Sequence, residues 1–171
     1  FSCFKKDFQE RQFGCVSSLL FYNLRNHFIS TEDFFKEIKK QNCVVTFVPL
    51  HFNFHWSLAV FTNTNDTFQV CVFDSAPNLN NFSFLRRFFK TQLNISDISF
   101  FKTYKQKRFT NECGLFLCFF IISLLFNFNI SLNNTLVISL SNWRDFLEQN
   151  KDKEKVRSFV LEKVKTQHQA P

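Results

Sequence analysis

The sequence predicts an α+β fold, with helices, then a short antiparallel or mixed sheet, then helices again. Three observations carry that expectation. Apolar residues recur at helical spacing towards both ends of the chain. In the middle, the runs VVTFVPL, WSLAVF and FQVCVF are rich in β-branched and aromatic residues and are separated by polar turns. Only two Gly and three Pro occur in 171 residues, too few for a turn-dense all-β sandwich or barrel.

In order, Phe1 to Lys6 reads as a poorly ordered lead-in. Val16 to Phe28 carries apolar residues at 16, 19, 20, 21, 24 and 28, a helical period. A second helix starts at Ser30-Thr31-Glu32-Asp33, with Thr31 as its cap, and ends at Asn42. Val44 to Leu50 is a strand, and Pro49 marks its end or an edge position. The loop His51 to Phe54 leads to a strand at Trp56 to Phe61, which turns at Thr62 to Thr67 and returns as Phe68 to Phe73. Asp74-Ser75-Ala76-Pro77 breaks that strand. Asn80 to Gln92 is a helix with Phe82, Leu85, Phe88 and Phe89 on one face, and Asp97 to Thr103 is a further strand. The 14 residues from Cys113 to Phe126 hold Ser123 as their only polar side chain, so they form a buried helix. Ser139 to Glu148 and Lys153 to Lys165 read as closing helices, the last with Val156, Phe159, Val160 and Val164 turned inward. Lys165 to Pro171 is a frayed tail.

With no internal repeat and no second composition block, residues 1–171 make one domain, able to bury about 70% of its unfolded surface. The absence of Met suggests a piece of a longer protein. The 28 Phe fit an AT-rich coding sequence and are generic core filler. The net charge of +7 is dispersed, and with no nucleic-acid motif it suggests a mildly basic surface with at most weak nucleic-acid contact. Six cysteines at 3, 15, 43, 71, 113 and 118 contain no CxxC pair, which argues against zinc. No His, Cys and carboxylate cluster has ligand spacing, which disfavours a metal enzyme, and no cofactor is expected. No leader and no membrane-length apolar run is present, so a reducing, intracellular setting is expected. The N-x-[ST] matches at Asn65, Asn81, Asn94, Asn129 and Asn133 are then chance occurrences in an Asn-rich chain.

Four residues together suggest a thiol acyl-transfer site. Cys113 falls in the first turn of the buried helix, where the dipole and unpaired N–H groups suit an anionic sulfur nucleophile. Gly114 leaves the space beside that sulfur open. His55 begins one hairpin strand and Asp74 ends its antiparallel neighbour, so the carboxylate can orient the imidazole. Gln106, seven residues before Cys113, can donate to a developing oxyanion together with the Cys113 N–H. Each residue alone is commonplace. Nucleophile, base, orienter and oxyanion donor together are the four roles that such chemistry needs. His27, His51 and His168 compete poorly as the base, being respectively on a helix, without an acid partner and in the tail.

The segments VTFVPLHFNFHWSLAVF, FQVCVFDSAPN and Gln106 with NECGLFLC resemble the Ulp1-type SUMO proteases and the adenovirus-type maturation proteases (adenain). The resemblance spans roughly Val44 to Cys118. It implies a papain-like but permuted cysteine protease domain with His55, Asp74 and Cys113 as the triad and Gln106 as the oxyanion donor. It also implies that Trp56 walls a narrow channel admitting Gly before the cut. The Trp-Leu-x-Asp motif that opens many Ulp1-type domains is missing. Its nearest counterpart is Phe13-Gly14-Cys15-Val16, which makes Phe13 the second channel wall. Glu112 stands where Asp is common, and Gln106 matches the adenain-type spacing better than the Ulp1-type one. The balance leans towards a maturation protease of a virus or mobile element acting on structural precursors. The alternative is a Ulp1-type enzyme acting on SUMO or other ubiquitin-like proteins, and the third reading is a catalytically silent binding module.

Overall fold

The run that begins at Val45 stays extended through Pro49 and on to Phe52. This strand, β2, is joined by β1 (Phe13–Cys15), β3 (His55–Thr64), β4 (Thr67–Asp74) and β5 (Ile98–Lys102). The computed structural model describes residues 13–64, 67–76, 78–102, 112–127 and Ser158. The strands form one five-stranded sheet in the order β1-β2-β3-β4-β5. The central three are antiparallel, while β1 on β2 and β4 on β5 are parallel, so the sheet is mixed. Parallel neighbours require crossovers. The first crossover contains α1 (Leu19–Arg25) and α2 (Thr31–Lys39), and the second contains α3 (Leu79–Gln92). The fourth helix, α4 (Cys113–Asn127), follows β5.

Strand alternation divides the core into two layers. Val45, Phe47, Leu58, Val60 and Phe73 face α4, which buries Phe116, Phe119, Phe120 and Leu124 against them. Val48, Leu50, Ala59, Phe61, Val70 and Val72 point the other way, onto Phe21, Phe34, Leu85 and Phe89 of the three crossover helices. The surplus of Phe is used as rings in mutual contact: Phe61 meets Phe34 and Phe89 edge-on, with centroids 5.8 and 5.9 Å apart. Fully burying one such ring contributes about 1.5–3 kcal/mol.

Several local details differ from the sequence expectation. Helix α1 is shorter than the run from 16 to 28, because β1 takes the chain into the sheet and Val16 N–H still bonds Phe47 O at 3.1 Å. Ser30, not Thr31, caps α2, its Oγ accepting from Asp33 N–H at 3.0 Å. Pro49 sits inside β2, but β1 pairs only with Val45 to Phe47. The side of β2 that faces β1 is therefore open at residue 49, where a missing N–H is tolerated. Helix α3 starts slightly earlier than expected, its cap Asn78 accepting from Asn80 N–H at 2.9 Å. The expected lead-in, Gln106 loop, Ser139–Glu148 helix and tail lie outside the described residues. Of the expected Lys153–Lys165 helix only Ser158 is described, and it is helical.

Candidate active site

A two-residue turn decides where His55 stands. Phe52 pairs with His55, leaving Asn53 and Phe54 to join β2 to β3 with φ of 51° and 57°. Positive φ at both central residues is the requirement of a type I′ turn, whose twist matches that of the flanking strands. His55 is thus the first residue of β3, fixed by the ladder, with 12% of its side chain exposed.

The register of β4 brings the acid to it. Leu58 pairs with Phe73, so Asp74 arrives level with Ser57, and residues 55 and 57 project to the same side of β3. Asp74 is completely buried, and a buried carboxylate needs polar partners. His55 Nε2 lies 2.7 Å from Oδ1, Ala76 N–H donates to the same oxygen at 2.7 Å, and Ser57 Oγ–H donates to Oδ2 at 2.8 Å. The bend after β4 therefore does more than stop the strand, since it turns an amide onto the carboxylate. With Nε2 directed at Asp74, Nδ1 is the ring nitrogen left for proton exchange.

Trp56 projects to the opposite side of β3, towards α4, and joins the core layer there. A Cβ built on Gly114 would stand 3.9 Å from Trp56 Cδ1, an ordinary van der Waals contact. The first turn of α4 is thereby set against the residue next to His55. Cys113 opens that helix, 7% exposed, where the first backbone N–H groups have no intrahelical acceptor. His51, the cross-strand partner of Trp56 on β2, lies with its ring centroid 4.5 Å from the indole and so braces it.

The remaining described cysteines are held as thiols. Burial pushes Cys15 up to about 12 and Cys71 up to about 11, and it raises Cys43 and Cys118 as well. Phe13 is 2% exposed and stacks on Phe47 at 5.5 Å, so it offers a substrate little surface. Gln106 lies outside the described residues. Sequence reasoning missed Ser57, although its position two residues after His55 on a strand was a usable signal. Among the described residues no cluster of His, Cys, Asp or Glu is placed to hold a metal ion. No described helix is long and apolar enough to cross a membrane.

Against this geometry, the family model described as "Ulp1 protease family, C-terminal catalytic domain" matches residues 3–158. The chain belongs to the Ulp1 protease family. This is a family of cysteine proteases. No curated protein matches the chain in sequence. Among solved structures, a de-sumoylating protease shares 15% identity and a TM-score of 0.55, over 97% of this chain and 73% of its own. The C-terminal Ulp1 protease domain, solved in complex with Smt3, the yeast ortholog of SUMO, shares 15% identity and a TM-score of 0.53, over 95% and 73%. Both likenesses show the Ulp1 protease-like fold. An ASFV protease overlaps 61% of this chain and 42% of its own at 20% identity, with a TM-score of 0.33.

Proposed function

We propose that His55, Asp74 and Cys113 form the catalytic triad of this Ulp1-family cysteine protease, with Gln106 as the oxyanion donor. The observation that carries the reading is the His55 Nε2–Asp74 Oδ1 bond of 2.7 Å, beside a helix N-terminus that presents Cys113 and is set against Trp56. His55 Nδ1 takes the Cys113 proton, and Asp74 stabilises the imidazolium that results. The thiolate adds to a peptide or isopeptide carbonyl. The Cys113 N–H and the Gln106 amide hold the oxyanion, and the imidazolium returns its proton to the departing amine. Water, deprotonated by His55, then cleaves the thioester and regenerates the thiol. Trp56 and Gly114 border the approach to the sulfur, a passage suited to Gly on the acyl side of the cut.

The substrate we infer is a ubiquitin-like protein processed or released after Gly. Family membership supports this, as does a fold shared with a de-sumoylating protease and with a Ulp1 domain bound to a SUMO ortholog. One sequence observation favours the second reading, a maturation protease of structural precursors: Gln106 precedes Cys113 by seven residues, the adenain-type spacing. The test is cleavage of two substrates by the same enzyme, a ubiquitin-like protein extended past a C-terminal Gly-Gly and a short Gly-containing peptide. Dependence of kcat/KM on the folded ubiquitin-like body supports the first reading. Equal efficiency on the short peptide overturns it in favour of the second.

A further inference from the structure

The turn before His55 carries a residue that its own conformation disfavours. Five described non-glycine residues have positive φ, namely His27, Asn42, Asn53, Phe54 and Asn94. Asn and His tolerate this region, whereas a bulky side chain there is a genuine outlier. Phe54 is the exception among them, and the residue is 99% exposed. It therefore gains neither backbone relief nor burial within the chain. An Asn-Gly pair is the preferred occupant of such a turn, and here the second place is held by Phe.

The position of Phe54 indicates what it serves. It is bonded directly to His55, the group that protonates the departing amine in the proposed reaction. The polypeptide carrying that amine must pass on the imidazole side of the sulfur, whereas Trp56 and Gly114 border the α4 side. Asn53 Nδ2 donates to Asn81 Oδ1 at 3.4 Å, which ties the turn to the first turn of α3. Leu79 stands in that same turn of α3 with 83% of its surface exposed. A second apolar side chain is thus left uncovered at the same end of the sheet.

We propose that Phe54 is a specificity residue for the leaving-group side of the cut. It packs against the apolar part of the polypeptide that carries the departing amine, and Leu79 extends that surface. The inference rests on the protease reading above and adds to it the second half of the substrate. Strain retained at a functional position is the physical pattern it fits.

The test compares two substrates with the same Gly-Gly acyl part. One ends in an aminomethylcoumarin amide, and the other continues past Gly as a peptide of apolar residues. In Phe54→Gly the ratio of kcat/KM, extended over coumarin substrate, falls about tenfold, the scale of one lost apolar contact. The same variant keeps or raises the melting temperature, because the turn becomes Asn-Gly. Phe54→Leu retains most of the ratio. An active Phe54→Gly enzyme with an unchanged ratio overturns the proposal alone. A wild-type protein inactive on both substrates overturns the protease reading, and this inference with it.

Discussion

Ser57 Oγ donates to Asp74 Oδ2 at 2.8 Å, on the carboxylate whose other oxygen meets His55 Nε2 at 2.7 Å. The hydroxyl lies two residues after the imidazole on the same strand, so one side of β3 holds two of the groups that grip the acid, beside the Ala76 N–H. The orientation of His55 thus depends on a residue that takes no part in proton transfer. Ser57→Ala leaves a buried carboxylate oxygen without this donor, which costs about 1–3 kcal/mol. The melting temperature falls by a few degrees, and kcat falls while the fold persists. Thermal unfolding and steady-state kinetics on one preparation check both parts. An unchanged kcat would place the hydroxyl in a purely structural role.

Asp74→Asn preserves the shape of the side chain but presents an amide where the imidazole needs an acceptor. The proposed triad predicts a loss in kcat of roughly two to four orders of magnitude, by analogy with serine triads. Single-turnover acylation rates read this directly. A rate near wild type would mean that another group orients His55.

Gly14 of β1 lies against Gln41, just past the end of α2. A Cβ there would lie 2.6 Å from Gln41 Cβ, nearer than real Cβ atoms come, and 3.0 Å from its Cγ, a tight contact. Gly14→Ala should therefore destabilise the fold by about 1–3 kcal/mol, the usual cost of overpacking. Because the obstacle includes a Cβ, Gln41→Ala does not relieve it and Gln41→Gly does. A denaturant series on the single and double variants separates steric clash from loss of backbone entropy.

Two half-buried thiols give the fold an alkaline limit. Cys15 and Cys71 ionise at about 12 and about 11 in the folded chain, against 9.0 when unperturbed. Above pH 9 the unfolded chain releases protons that the folded chain still holds, so stability falls as pH rises towards 11 and 12. Below pH 9 the contribution is complete. Urea midpoints taken from neutral to about pH 11 should decline in wild type and decline less in a Cys15→Ala, Cys71→Ala variant. Parallel pH profiles would remove these thiols as the cause.

The layered fold was legible because its signals are periodic. The hairpin strands announce themselves by composition, α4 by its unbroken apolar run, and α2 by acidic residues in the first turn. Once the hairpin is drawn, His55 and Asp74 must meet, because one begins β3 and the other ends β4. What escaped notice has physical reasons. Strand β1 is three residues long, and its pairing with β2 is set by tertiary contact rather than by pattern. Phe13 was expected at a channel wall by its place in the chain, whereas strand parity puts its ring under α4. The turn at Asn53-Phe54 was hidden because Phe stands where Gly or Asn would signal it. Ser57 carries no compositional mark, and its place two residues after His55 gains meaning only once the register of β4 sets Asp74 beside it.

The central claim, that Cys113 is the nucleophile positioned by His55 and Asp74, is tested most directly by intact-mass labelling. The probe is an alkyne electrophile replacing the C-terminal carboxylate of a Gly-Gly sequence, presented on a ubiquitin-like protein and as a free peptide. The account predicts one adduct at Cys113, lost in Cys113→Ala and strongly slowed in Asp74→Asn, with Cys15, Cys43, Cys71 and Cys118 unmodified. Labelling that persists in Cys113→Ala, or that falls on another cysteine, would contradict it.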